Sequence, residues 1–177
     1  MNDTILLFGA GKIGSCLATL LREIGHYEVL IADNSQVALE AFSQRGFSTS
    51  SLDIRNRTEL EGFLTKGKVA LSALPFFCNQ ALAQACLLTG CSYSYLTEAL
   101  KTCRAIRELA KSAQSDQVFM PQCGLAPGFI SIIAHELCQQ FEQLESLKMR
   151  VGALPLYPSN KMLYNLTWST EGLINEY

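Results

Sequence analysis

The chain has 177 residues, of which 49% are hydrophobic and 17% are charged, and this supplies one buried domain, or one domain and part of another. Its formal net charge of -2 comes from mixed acidic and basic residues, which excludes the basic field that nucleic acid or an anionic membrane surface would require. Seven cysteines occur without a C-x-x-C spacing, and no apolar run reaches the roughly 18 residues that span a bilayer, so we expect a cytoplasmic protein with small buried thiols, no metal site and no membrane partner.

The first part of the chain alternates short apolar runs with segments of helical period. Gly25 and Gly46 end two of the helical segments, as glycine commonly does. In chain order, the predicted elements are a strand over 4–8, a helix over 12–24, a strand over 27–32, a helix over 36–45, a strand over 47–52 and a helix over 58–64.

The same alternation continues to residue 144. The further predicted elements are a strand over 68–74, a helix over 79–88, a strand over 92–96, a helix over 98–113, a strand over 117–122 and a helix over 128–144. Strands that alternate with helices predict an α/β fold with a doubly wound parallel sheet, covered by helices on both faces.

The composition and periodicity of the sequence change near Leu147. Residues 147–169 are rich in β-formers and turn residues and have no helical period. We therefore predict a dinucleotide-binding domain over 1–144 and the start of a second, α+β domain over 145–177. The residues after 145 are too few to close a sheet with a buried face, so we expect this second domain to be cut short.

Three glycines lie at the junction of the first strand and the first helix, in the stretch GAGKIG. The first glycine of such a turn permits tight bending, the second lets the backbone approach a pyrophosphate at the helix N-terminus, and the third lets the helix pack on the strand. The stretch therefore predicts a Rossmann-type fold in which the cofactor-binding turn is formed by Gly9, Gly11, Lys12, Ile13 and Gly14.

An acidic residue, Asp33, ends the second predicted strand about 20 residues after the glycine turn, where a carboxylate accepts hydrogen bonds from ribose hydroxyls. It would repel a 2′-phosphate, and neither Asn34 nor Ser35 offers an arginine to bind one. We therefore expect Asp33 and Asn34 to contact the adenosine ribose, and the cofactor to be NAD and not NADP. The alternative is a purely structural glycine turn with Asp33 capping the next helix.

Ligands of open α/β sheets bind at the carboxyl ends of the strands. After the fourth predicted strand these ends offer Leu74 and Pro75, and after the sixth the stretch CGLAPG. Glu98 follows the fifth strand, where a carboxylate could take a proton from an amine or bind a substrate ammonium. It could equally lie in the first turn of the next helix, where an acid suits the helix dipole.

Two other features look catalytic but favour a structural role. The stretch HELCQ lacks the second histidine of an H-E-x-x-H metal motif, and the helical period places His135 opposite the apolar face, toward solvent. Tyr93 and Tyr95 alternate with serines along a strand and are predicted to be packing residues.

Four stretches together carry a family resemblance: GAGKIG, LSALPFFCNQALAQACLLTGCSYSYLTE, QCGLAPGF and VGALPLYPSNKMLYNLTWSTEGLINEY. The chain resembles the saccharopine dehydrogenase-like family, most closely its L-lysine 6-dehydrogenase branch. The last stretch is the most specific, because the pattern Y-x-L-x-W-S-x-x-G-L-I-x-E-Y is not a general feature of dinucleotide-binding folds. In this family the second domain continues past that pattern, so we expect the chain to be an N-terminal part and largely inactive alone.

The resemblance implies NAD(P)-linked oxidation at an amine-bearing carbon, giving an imine that water hydrolyses. It also implies a homodimer formed through the residues after 145. Ala126 stands where saccharopine-forming relatives have an aspartate, which favours a simple amine, such as that of lysine, over saccharopine. The residues implied to contact nicotinamide are Gly124 and Leu125, and those implied to contact substrate are Pro127, Gly128, Gly152, Leu154 and Pro155.

Other functions stay open at this point. A non-catalytic NAD-binding regulatory module, of the kind attached to ion transporters, shares the glycine turn and the acid at Asp33. Such a module would not need the segment from VGALP to INEY, which distinguishes it from a dehydrogenase. A further alternative is a saccharopine- or carboxynorspermidine-type reductase that uses NADP. Another is a chain that mainly assembles subunits.

Overall fold

The computed structural model of the chain describes residues 3–24, 27–152, 155–157, 159–161, 163 and 174. Within them lie the strands β1 (Asp3–Phe8), β2 (Tyr27–Asp33), β3 (Ser48–Ser51), β4 (Val69–Ser72), β5 (Ser92–Tyr95) and β6 (Phe119–Met120). All pair in parallel, in the order β3-β2-β1-β4-β5-β6. The order reverses between β1 and β4, which confirms the prediction of a Rossmann-type, doubly wound sheet.

Six helices lie in the described ranges, namely α1 (Lys12–Glu23), α2 (Gln36–Ser43), α3 (Arg57–Leu64), α4 (Asn79–Thr89), α5 (Leu100–Ala110) and α6 (Phe129–Cys138). Several of them begin or end at residues whose chemistry explains the boundary. Ser35 precedes α2 and its hydroxyl accepts from the amide of Ala38, while the Asn56 side chain accepts from the amide of Glu59 at the start of α3. Gly90, in the left-handed conformation, ends α4.

The central strand β1 is buried on both faces over 5–8, which explains the uninterrupted apolar run there. Leu6 and Phe8 point into a cluster that packs α3, α4 and α5 against the sheet. Leu7 lies between them and, because side chains alternate along a strand, points to the other face of the sheet, into a cluster with α1 and α2. Helices therefore cover both faces of the sheet and fix the carboxyl end of β1 at its centre.

Both edges of the sheet are short and polar or interrupted. One edge strand, β3, consists of four hydroxyl residues, Ser48-Thr49-Ser50-Ser51. The other, β6, has two residues and is followed by Pro121, which cannot donate a backbone hydrogen bond.

Several predicted boundaries differ from the structure. The strand expected over 117–122 shrinks to β6, because Gln117 turns inward and its amide donates to the carbonyl oxygens of Cys86 and Cys91 at 2.8 and 2.9 Å. The helix expected over 128–144 ends at Cys138, where the chain tightens into i→i+3 hydrogen bonds. Three cysteines are buried as expected (Cys86, Cys91 and Cys103), whereas Cys16 lies exposed on the outer face of α1.

The chain divides into two compact units, Met1–Cys123 and Gly124–Tyr177. That the first domain ends at residue 144 and a second domain begins at 145 stays a prediction. The β-rich segment after residue 147 forms no strand over 147–152, 155–157, 159–161 or at 163, and its other residues, apart from 174, lie outside those that the structure describes. Every helix in the described part of the chain is too short or too polar to cross a bilayer.

The contact between Gln117 and the end of α4 yields a stability prediction. Replacing Gln117 with alanine removes two buried hydrogen bonds, to the carbonyl oxygens of Cys86 and Cys91, so we expect the free energy of unfolding to fall by about 1–3 kcal/mol in urea denaturation. Gln80→Ala, on the exposed face of α4, is the matched control and should leave stability nearly unchanged. A Gln117→Ala protein as stable as the control would contradict this role.

Candidate functional site

The glycine turn is the point where β1, α1 and the loop after β4 approach most closely. Gly9 has a φ of +104°, and a Cβ built on it would lie 2.9 Å from the carbonyl oxygen of Ala73. A Cβ built on Gly14 would overlap the carbonyl oxygen of Gly9. The turn therefore requires glycine at both positions, with the geometry that the motif predicts.

Gly11 differs from the other two glycines because its α-carbon faces open space. It precedes α1 without a side-chain cap, and a Cβ built on it would meet no described atom within 4 Å. The side chains of Lys12 and Ile13 are exposed, and the first turn of α1 carries no acidic residue. This helix end offers uncapped amides and a favourable dipole, so its chemistry fits the pyrophosphate of a dinucleotide.

The carboxylate of Asp33 is tied to the glycine turn. One oxygen accepts from the amide of Ala10 at 2.7 Å, and the other from the amide of Ser35 at 2.8 Å. The alternative in which Asp33 caps the next helix is wrong, because Ser35 is the capping residue of α2. Asp33 is half-buried and Asn34 is exposed, so both are open to solvent at the carboxyl end of β2.

The loop after β4 runs beside the glycine turn. The amide of Ala73 donates to the carbonyl oxygen of Phe8 at 2.8 Å, which continues the pairing of β4 with β1. Leu74 is half-buried, Pro75 is exposed, and a single 3-10 turn over Phe76–Cys78 leads into α4. The residues predicted to line the crevice at this strand end therefore do lie at the same edge of the sheet as the glycine turn.

Asn79 is a residue of this loop region that the sequence reasoning missed. Its side-chain amide donates to the carbonyl oxygens of Pro75 and Phe76, and its side-chain oxygen accepts from the hydroxyl of Tyr93 at 2.6 Å. A sequence signal existed, because Asn79 is the one polar residue on the helix face of α4 formed by Leu82, Ala83 and Cys86.

Tyr93 and Tyr95 are packing residues, as predicted. Both are 1% exposed, and their rings stack with centroids 5.5 Å apart. Burial raises the pKa of Tyr93 well above its ordinary value, and burial together with the Cys103 thiol raises the pKa of Tyr95. Neither hydroxyl is therefore poised to release a proton near neutral pH.

Glu98 lies in the loop between β5 and α5, where it is half-buried. The alternative that places it in the first turn of the next helix is wrong, because α5 begins at Leu100 after Ala99. The amide of Ala99 donates to the hydroxyl of Thr97, and this bond holds the loop away from helical geometry. The role of Glu98 as base or ammonium anchor stays a prediction.

In the second unit, a tight turn precedes α6. The amide of Gly124 donates to the carbonyl oxygen of Pro127 at 3.1 Å, and Gly128 has a φ of +135°. Gly124, Pro127 and Gly128 are half-buried, as is Pro155, whereas Leu125 and Gly152 are exposed. Leu154 lies outside the described residues.

A cavity of about 480 Å³ lies within this second unit, between α6 and residues 147–152. It brings together Leu125, predicted to contact nicotinamide, and Gly152, predicted to contact substrate. Apolar residues of α6 line it, namely Ile130, Ile133, Ala134 and Leu137.

His135 is exposed, with its Nε2 atom 2.8 Å from Nε2 of Gln139. The helix therefore turns this side chain to solvent, as the helical period predicts. In the part of the chain that the structure describes, no three His, Cys, Asp or Glu side chains group as metal ligands.

Comparison with known proteins places this geometry in context. Residues 5–120 match the family described as saccharopine dehydrogenase NADP binding domain. The chain is similar to an apo, histidine-tagged saccharopine dehydrogenase (L-Glu forming) from Saccharomyces cerevisiae, at 20% identity and a TM-score of 0.76, over 97% of this chain and 40% of that one.

Two further solved structures share the fold. One is the WlbA dehydrogenase from Chromobacterium violaceum in complex with NADH and UDP-GlcNAcA, at 15% identity and a TM-score of 0.56, over 68% of this chain and 34% of that one. The other is the TrkA-N domain of the inner membrane protein ybaL from Escherichia coli, at 16% identity and a TM-score of 0.56, over 80% of this chain and 98% of that one. The chain thus spans less than half the length of both dehydrogenases.

The contact between Gly14 and Gly9 predicts a selective loss of stability. A methyl group at Gly14 would meet rigid backbone, so Gly14→Ala should lower the free energy of unfolding by about 1–3 kcal/mol. Gly62→Ala, in α3 where a Cβ meets no described atom, should keep or raise stability because alanine favours the helix. Equal denaturation midpoints for Gly14→Ala and the unmodified protein would disprove the close approach.

Proposed function

The chain belongs to the saccharopine dehydrogenase NADP binding domain family, and from this premise we propose that it is the dinucleotide-binding part of an NAD(P)-dependent oxidoreductase. The observation that carries the proposal is the turn from Gly9 to Gly14, where two glycines are sterically required and Gly11 leaves the uncapped helix end open. A nicotinamide dinucleotide, when bound, supplies a hydride acceptor or donor.

The choice between the two dinucleotides rests on charge at the carboxyl end of β2. The Asp33 carboxylate would bind ribose hydroxyls and repel a 2′-phosphate. In the loop after β3, the guanidinium of Arg55 pairs with the carboxylate of Asp53 at 2.6 Å. The same contact holds the pKa of Asp53 at about 2. We therefore propose NAD as the cofactor.

The proposed substrate is an amino acid oxidised at an amine-bearing carbon, such as lysine at its ε-carbon. The carbon gives up a hydride, the nitrogen loses a proton as the C=N bond forms, and water then hydrolyses the imine to an aldehyde and ammonia. Glu98, half-buried after β5, is the proposed acceptor of that proton. The resemblance of the sequence to lysine dehydrogenases and the alanine at Ala126 support this choice of substrate.

Quaternary structure and location complete the proposal. A homodimer through the residues after 145 would cover the apolar side chains exposed in that segment, which include Leu147, Met149 and Val151. A cytoplasmic location suits a chain whose cysteines are all free.

A regulatory NAD-binding module is the second candidate. It is favoured by the structural match to the TrkA-N domain of the Escherichia coli protein, because the match covers 98% of that domain. Such a module would bind the dinucleotide without oxidising an amine, so a turnover assay separates the two candidates.

Selectivity for NADH tests the role of Asp33. In titrations followed by nicotinamide fluorescence, NADH should bind at least about tenfold more tightly than NADPH, because the carboxylate repels the 2′-phosphate. Asp33→Asn should lower the affinity for NADH and reduce the preference for NADH over NADPH. Asp116→Asn, at an exposed site, should change neither the affinity nor the preference. Equal affinities of the unmodified protein for NADH and NADPH would remove the argument from Asp33.

Oxidation of lysine tests the proposed reaction. With L-lysine and NAD⁺ we expect slow formation of NADH and ammonia, since the chain covers 40% of the yeast dehydrogenase, and none with Nε-acetyl-lysine. Glu98→Gln should lower the rate by about 100-fold or more because it removes the base, whereas Glu108→Gln, exposed on α5, should not. Binding of NADH without lysine-dependent turnover would favour the regulatory module.

A further inference from the structure

The topology of the sheet assigns the two halves of a bound dinucleotide to different strands. Dinucleotides lie across the point where strand order reverses, which here falls between β1 and β4. Asp33 ends β2, on one side of that point, so the adenosine half belongs there. The nicotinamide half then lies over β4 and β5, next to the loop over 74–78; this step rests on the proposed function.

Two backbone contacts hold the start of this loop. The amide of Ala73 pairs with Phe8, and the carbonyl oxygen of Ala73 packs against Gly9. The amide of Leu74 donates to the hydroxyl of Ser72 at 3.4 Å. The following residue, Pro75, has no amide hydrogen with which to fix the loop further.

Asn79 holds the middle of the loop. It is 1% exposed, and its amide nitrogen lies 3.3 Å from the carbonyl oxygen of Pro75 and 3.2 Å from that of Phe76. The side-chain oxygen of Asn79 accepts the hydroxyl proton of Tyr93, on the neighbouring strand β5. This bond fixes which end of the amide faces the loop, because only the nitrogen can donate to two carbonyl groups.

We propose that Asn79, oriented by Tyr93, is a positioning residue that sets the loop over 74–78 for the nicotinamide half of the cofactor. It acts through the carbonyl groups of Pro75 and Phe76 and not by contact with the cofactor. The linkage is stiff because Asn79 and Tyr93 are each 1% exposed, where an unpaired Asn79 amide or Tyr93 hydroxyl would be costly. The bound position of the nicotinamide ring therefore depends on a side chain beneath the surface of the site.

Binding of NADH and ADP-ribose to the same variants tests the proposal, because ADP-ribose carries the adenosine and both phosphates but lacks nicotinamide. Asn79→Ala should weaken NADH binding by about tenfold and ADP-ribose binding by less than about twofold, as expected for loss of the two hydrogen bonds that hold the loop. Tyr93→Phe keeps the ring and removes the hydroxyl. It should lower the ratio of NADH affinity to ADP-ribose affinity by about threefold.

Thr89→Val is the matched control, since it removes a side-chain hydrogen bond at the other end of α4, to the carbonyl oxygen of Ala85. It should leave the ratio of the two affinities unchanged. Urea denaturation of every variant identifies those that remain folded, and Tyr93→Phe decides the question if Asn79→Ala does not fold.

The outcomes separate this inference from the proposed function. Equal losses for NADH and ADP-ribose in the variants would mean that Asn79 and Tyr93 support the fold alone, and would overturn the positioning role. If the unmodified protein binds neither compound, the proposed function fails and the inference fails with it.

Discussion

The whole first unit depends on one close approach of backbone to backbone, where α1 begins directly above the end of β1. The carbonyl oxygen of Gly9 leaves no room for a side chain at Gly14, and Gly9 itself lies against the backbone of Ala73. Because the loop after β4 meets the turn between β1 and α1 there, the turn links the two halves of the sheet at the point where strand order reverses. The open side of the same turn, at Gly11, is what makes the junction suitable for a phosphate group.

Asp33 joins this junction to the recognition of the ribose. Its two carboxylate oxygens accept from backbone amides on either side, in the glycine turn and at the start of α2. Its negative charge is therefore held in a fixed place, and hydrogen bonds to a ribose would add to bonds that already exist. A residue usually regarded as a specificity determinant is here also part of the framework, so a change of cofactor preference by substitution at this position carries a structural cost.

The sequence predicts most of this architecture because the strongest signals are local. The run from Thr4 to Phe8, the glycine spacing and Asp33 each depend on neighbours within about one supersecondary unit. The features that were missed depend on residues far apart in the chain: Gln117 turns inward to reach carbonyl groups of the segment around Gly90, and Asn79 pairs with Tyr93. Charge alone does not decide whether Glu98 lies in the first turn of a helix. The hydrogen bond from the Ala99 amide to the Thr97 hydroxyl, after which α5 begins, leaves no periodic pattern in the sequence.

The two edge strands have a consequence for how folded copies of this chain meet one another. An open sheet presents unpaired amide and carbonyl groups at its margins, and long apolar margins recruit strands from neighbouring molecules. Here one margin is four hydroxyl residues, which water solvates readily, and the other is two residues closed by Pro121. The sheet is therefore poorly suited to grow by edge pairing between folded copies of the first unit.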